Sequence, residues 1–87
     1  MAEVAITVQC QISGETVDFD YDDVNTVGVF IKDLQGEGMA WQTPTDDCGI
    51  FVDGTPYTYN DVSKKSLSDI GVKDGDVIIV SEDVTNA

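Results

Sequence analysis

Val4, Ile6, Val8, Cys10 and Ile12 alternate with Ala5, Thr7, Gln9 and Gln11 along the first stretch of the chain. An apolar residue at every second position puts one face of an extended segment in a core and the other in water, which predicts a half-buried strand. Ser13-Gly14-Glu15 supplies a tight turn, after which Val17, Phe19 and Tyr21 alternate with Asp18, Asp20 and Asp22. Two strands joined so closely form an antiparallel hairpin.

The period changes after Asp23. Val27, Phe30, Ile31 and Leu34 fall at i, i+3, i+4 and i+7, the spacing of one helical face. Asn25 or Thr26 is placed to cap the start, and Gly36 and Gly38 to end it. Gly28 inside such a helix costs about 1 kcal/mol relative to alanine, so burial of Phe30 and Leu34 must carry its stability. Ala40 to Asp47 is irregular and contains Pro44, with Trp41 read as a lid over the core. Cys48 to Val52 reads as a short strand, Asp53-Gly54 as a turn, and Pro56, Tyr57 and Tyr59 as an edge segment, where a missing N–H does least harm. Ser66 to Val72 reads as a tight helical turn. Lys73-Asp74-Gly75-Asp76 then leads into Val77-Ile78-Ile79-Val80, whose continuous apolar run predicts a central strand.

With the last strand central, it pairs in parallel with the first, and the helix supplies the crossover. The expected class is α+β: a β-grasp arrangement, with a mixed sheet of four to five strands packed on one helix. Eighty-seven residues make one domain, expected to span 1–87 with 83–87 as a flexible tail.

Composition narrows the function. Seventeen acids face four lysines, with no histidine, for a formal net charge of −13. Such a field repels nucleic acid and anionic membrane, keeps the chain soluble, and favours protein partners that are basic. No apolar run approaches the ~20 residues that span a bilayer, and MAEVAITVQC lacks the features of a signal peptide. A cytoplasmic monomer is expected. Without histidine there is no ready base near neutral pH, and Cys10 or Cys48 as nucleophile would lack an imidazole partner, so no enzymatic role is expected. The cysteines form no metal or redox motif, and Cys10 reads as a small buried hydrophobe. Neither the acids at 20–23, nor Asp46-Asp47, nor Asp74 and Asp76 reproduce a calcium loop. They read as solvated turn acids, and neither metal nor cofactor is expected.

The order of fragments resembles the ubiquitin-like family over nearly all of the chain. SGETVDFDYDD followed by NTVGVFIKDLQGEGM is similar to its first hairpin and helix. CGIFVDGTPY carries its I-F-x-x-G pattern, and SLSDIGVKDGDVIIV resembles its closing signature. The resemblance implies a module that binds other proteins through an apolar patch on the exposed sheet face, on its own or as a small accessory subunit of a larger assembly. Matched motif to motif, the patch falls on Ile12, Ile50 and Ile79. Relatives that are conjugated to targets end in Gly-Gly, and no Gly-Gly occurs in these 87 residues. A modifier, in degenerate or precursor form, is therefore carried as the alternative.

Overall fold

The computed structural model describes residues 3–42 and 47–83. Pro44 and the 84–87 part of the expected tail lie outside the described residues. The chain runs through β1 (Glu3–Cys10), β2 (Thr16–Asp22), α1 (Val27–Gly36), β3 (Gly49–Val52), β4 (Thr55–Thr58), the single turn α2 (Tyr59–Val62), a 3₁₀ turn (Ser68–Ile70) and β5 (Val77–Ser81). The strands form one sheet in the order β2-β1-β5-β3-β4, parallel between β1 and β5 and antiparallel elsewhere. The β-grasp expectation therefore holds, with five strands.

Each hairpin follows from its turn. The first strand stops at Cys10 rather than Ile12, because the Gly14 N–H donates to the Cys10 carbonyl at 2.8 Å and closes the turn there. In the second hairpin Asp53 and Gly54 both have positive φ, 50° and 85°. A two-residue loop of that shape matches the right-handed twist of the strands it joins. Pro56 sits on the edge strand β4, as expected, whereas Tyr59 leaves the sheet and begins α2.

The helix buries the four residues its spacing marked: Val27, Phe30, Ile31 and Leu34. They pack on Val4, Ile6, Val8 and Cys10 of β1 and on Ile78 and Val80 of β5, within a single core. Full burial of each large aliphatic or aromatic side chain contributes roughly 1.5–3 kcal/mol. Thr26 is the cap, its Oγ1 accepting the Val29 N–H at 3.2 Å. Two further N–H groups of the first turn are taken by backbone carbonyls of a distant segment: Val27 donates to Lys65 at 2.8 Å and Gly28 to Ser63 at 2.9 Å. Leu67 and Ser68 donate back to Asn25 and Asp23, both at 3.0 Å. The segment entering the helix is thus stitched to the one approaching β5. This explains Gly28, since a Cβ there would lie 2.9 Å from the Ser63 carbonyl oxygen.

Trp41 is the expected lid. It is buried, its indole N–H donates to the Ser81 carbonyl at 2.8 Å, and its ring centre lies 5.5 Å from that of Tyr59. Cys10 is buried in the core, as expected, and Cys48 is buried too; the two form no disulfide.

The turn into β5 corrects one expectation. Asp76 is no solvated acid: it is 6% exposed, its carboxylate accepts the Lys73 N–H at 3.0 Å, and the Lys73 ammonium lies 3.7 Å away. Asp74 is exposed but accepts the Ala5 N–H at 2.7 Å, while Gly75 donates to the Ala5 carbonyl at 2.7 Å. Asp74 therefore ties the turn to the first strand, while the Asp76 carboxylate closes the turn on itself just before the last.

Two predictions follow from these contacts. Gly28→Ala gains helix propensity but drives a methyl against Ser63, and a net loss of about 1–2 kcal/mol is expected in urea unfolding. Asp76→Ala leaves the Lys73 N–H without its acceptor, and the same measurement should show a loss of about 1–3 kcal/mol.

Candidate functional site

Strand alternation decides which side chains the sheet turns away from the helix. On β1 and β2 these are Glu3, Ala5, Thr7 and Gln9, opposite Asp22, Asp20, Asp18 and Thr16. Among them, Thr7 Oγ1 donates to Asp18 Oδ1 at 2.6 Å. On the other half of the sheet the outward residues are apolar. Ile79 lies between Gln9 of β1 and Phe51 of β3, and Phe51 lies opposite Pro56 of β4. Val77, two residues before Ile79, turns the same way beside Thr7. Ile79, Phe51 and Val77 are half-buried and Pro56 is exposed. The outer face is therefore split, with acids on β2 and an apolar strip across β5, β3 and β4.

Of the three isoleucines assigned to the patch, the structure places only Ile79 in this strip. Ile50 is a core residue at 1% exposure, paired with the equally buried Val80. The reason is strand phase: where one neighbour faces the core, the next faces solvent, and here Phe51 takes the outer position. Ile12 is 38% exposed, but it sits in the turn after β1 and lines clefts with Trp41, Ala40 and Glu82 rather than with Ile79 or Phe51. The three isoleucines do not form one cluster. Phe51 and Pro56 are the residues that sequence reading missed. The pairing of Phe51 with Ile79 depends on the β3–β5 register, which no local pattern specifies.

No protein-family model and no curated protein matches the chain. Solved structures do match. The chain superposes on the C-terminal ubiquitin-like domain of mouse tubulin-specific chaperone e with a TM-score of 0.69 at 14% identity, covering 90% of this chain and 84% of that one. On the ubiquitin of Caldiarchaeum subterraneum the TM-score is 0.65 at 18% identity, over 91% of each chain. This is a ubiquitin-like β-grasp fold. A further match, at TM-score 0.53 and 21% identity, is to a chain of the MycP5-free ESX-5 inner membrane complex; it covers 91% of this chain and 20% of that one.

Among the described residues no three His, Cys, Asp or Glu side chains converge to hold a metal ion, and no helix is long and apolar enough to cross a membrane. A perturbed tyrosine lies on the helix side of β2. The Tyr21 hydroxyl donates to Asp33 Oδ2 of α1 at 2.6 Å, bracing the edge strand against the helix. Burial foremost, then the hydrogen bond to Asp33 and its negative charge, hold the phenol pKa well above its ordinary 10.0.

The consequence for stability has a definite sign. Above pH 10 an unfolded Tyr21 loses its proton while the folded one keeps it, so the unfolded state binds fewer protons and stability falls as pH rises. Below pH 10 the contribution is fully present. Urea unfolding between pH 9 and about 11.5 should show this decline, and Tyr21→Phe should flatten it.

Proposed function

We propose that this protein is a non-enzymatic, ubiquitin-like interaction module, acting in the cytoplasm as a monomer or as a small accessory unit of a larger assembly. It binds protein partners through the outer face of its sheet. The observation that carries this reading is the strip of Ile79, Phe51, Val77 and Pro56 turned away from the core. The sheet does not need these side chains on its solvent side for its own core, and contiguous apolar surface is characteristic of recognition sites. The acids Asp18, Asp20 and Asp22 on the same face favour a partner that carries lysine or arginine beside an apolar contact. Nucleic acid and anionic membrane are disfavoured by the same charge. The accessory-unit form is supported by similar domains within longer chains, one of them in the ESX-5 inner membrane complex.

The likeness to an archaeal ubiquitin favours one further reading, a conjugated modifier. Intact-mass spectrometry of the tagged protein from its own host separates the two: ladders of covalent adducts support the modifier, and their absence supports the module.

The module reading is tested at Ile79. Partners captured from the native host by the wild-type protein should be lost with Ile79→Asp and kept with Ile12→Asp, with circular dichroism showing both variants folded. Loss of about 2 kcal/mol of binding, some thirtyfold in Kd, is expected for a charge placed at the centre of such a strip. Unchanged affinity in Ile79→Asp would sink the proposal.

A further inference from the structure

The positive charge of this acidic chain is not spread evenly. Of its four lysines, Lys73 reaches Asp76, and the other three gather beside the first turns of α1. Lys32 falls one turn after Gly28, on the same side of the helix. Gly28 donates its N–H to the Ser63 carbonyl, and Lys64 and Lys65 follow Ser63 directly. The Lys65 carbonyl in turn accepts the Val27 N–H at 2.8 Å. All three lysines are exposed, and among the described residues none of them forms an ion pair.

Exposed apolar surface occurs at the same place. Val24 and Val29 are 47% and 46% exposed, and neither belongs to the core. Val24 lies in the segment entering the helix, which is held against the chain after Lys65 by the Thr26–Ser66 bridge and the Leu67 to Asn25 bond. Val29 neighbours Lys32 on the helix surface, three residues before it. The acids of these segments are committed to local donors. Asp22 accepts the Val24 N–H, Asp33 the Tyr21 hydroxyl on the β2 side, Asp61 the Thr58 hydroxyl and Asp69 the Ser66 N–H. Asp23 gives its carbonyl to the Ser68 N–H.

We propose that this surface binds an acidic segment of a second partner protein, one that carries apolar side chains among its carboxylates. The apolar groups rest on Val24 and Val29, and the carboxylates meet Lys32, Lys64 and Lys65. The helix end itself offers nothing to a small anion, since the N–H groups of Val27, Gly28 and Val29 are taken by Lys65, Ser63 and Thr26. Recognition therefore rests on side-chain charge together with apolar contact, which a peptide supplies and a free phosphate does not. A second copy of the chain is a poor occupant, because it brings its own net charge of −13. A short segment brings only the carboxylates it sets against lysine, and acids further off than about 8 Å are largely screened at physiological ionic strength. The lysines lie on the helix layer, whereas the Ile79 strip faces away from it. One module can thus hold two partners of opposite charge at once.

The test uses two capped nine-residue peptides, each with two leucines, the other residues being glutamate in one and lysine in the other. They are titrated into the isotopically labelled protein and followed by NMR. The glutamate peptide should shift the amides of Val24, Val29, Lys32, Lys64 and Lys65, and the lysine peptide should not. Reversing two exposed charges in Lys64→Glu/Lys65→Glu should weaken the glutamate peptide about tenfold, and Lys32→Glu about threefold. Lys32→Arg should stay within about twofold. Val29→Ser removes the apolar contact without altering charge, and should weaken binding about threefold. Ile79→Asp should leave the glutamate peptide bound within about twofold, so failure of the sheet-face reading and failure of this one are told apart. Absence of shifts at these amides, equal shifts there from the lysine peptide, or full affinity in Lys64→Glu/Lys65→Glu would each overturn the proposal. Larger shifts at the same amides from a single-stranded oligonucleotide would overturn it too, as would sedimentation showing that the protein pairs with itself through these lysines.

Discussion

The parallel pairing of β1 with β5 is the constraint on which the other features depend. It joins the two ends of the chain, so its entropy of closure is incurred before any of its contacts form. The sequence offsets that cost with contacts at both ends of the pair. Asp74 and Gly75 hold both polar groups of Ala5, the Asp76 carbonyl takes the Thr7 N–H at 3.0 Å, and the Val80 carbonyl takes that of Gln11 at 3.0 Å. Between these bonds, Ile78 and Val80 enter the core against Val8 and Cys10. Every later placement follows. β3 has only the far side of β5 to join, β4 is left at one edge and β2 at the other, and Ile79 is set in the middle of the outer face.

The helix depends on the same closure. A helix of ten residues is marginal on its own. Two of its first-turn donors, on Val27 and Gly28, are satisfied from the 63–65 segment, which reaches them only because the chain is returning toward β5. Gly28 is the covalent trace of that approach. As a helix residue it is unfavourable, and as a contact surface for a carbonyl it is required, so the local and tertiary preferences conflict and the tertiary one prevails.

What the sequence disclosed, and what it withheld, divides along the same line. Elements with a clear period were legible: the alternations of β1 and β2, the spacing of Val27, Phe30, Ile31 and Leu34, and the unbroken apolar run that marked β5 as central. The phase of β3 was not. Ile50, Phe51 and Val52 are apolar in every phase, so nothing local shows which of Ile50 and Phe51 faces out. The register with Val80 and Ile79 decides it, and that is a long-range property. The role of Asp76 was hidden for a similar reason. A carboxylate in a glycine-containing turn looks solvated until the strand it precedes is known to be buried between two others. Of the three isoleucines read from the sequence, then, only Ile79 lies on the outer face of the sheet, because β3 takes the opposite phase and Ile12 falls in a turn.

Net charge, treated as a single number, suggested only solubility and a preference for basic partners. Its distribution carries more information. Asp18, Asp20 and Asp22 fall on one side of β2 because the strand alternates, and β2 falls at an edge because β5 has taken the other side of β1. The same aspartates therefore lie one strand away from the apolar strip of the outer face, along an edge that no other strand covers among the described residues. An acidic row at an exposed edge disfavours the most concentrated competitor any strand meets, which is its own copy.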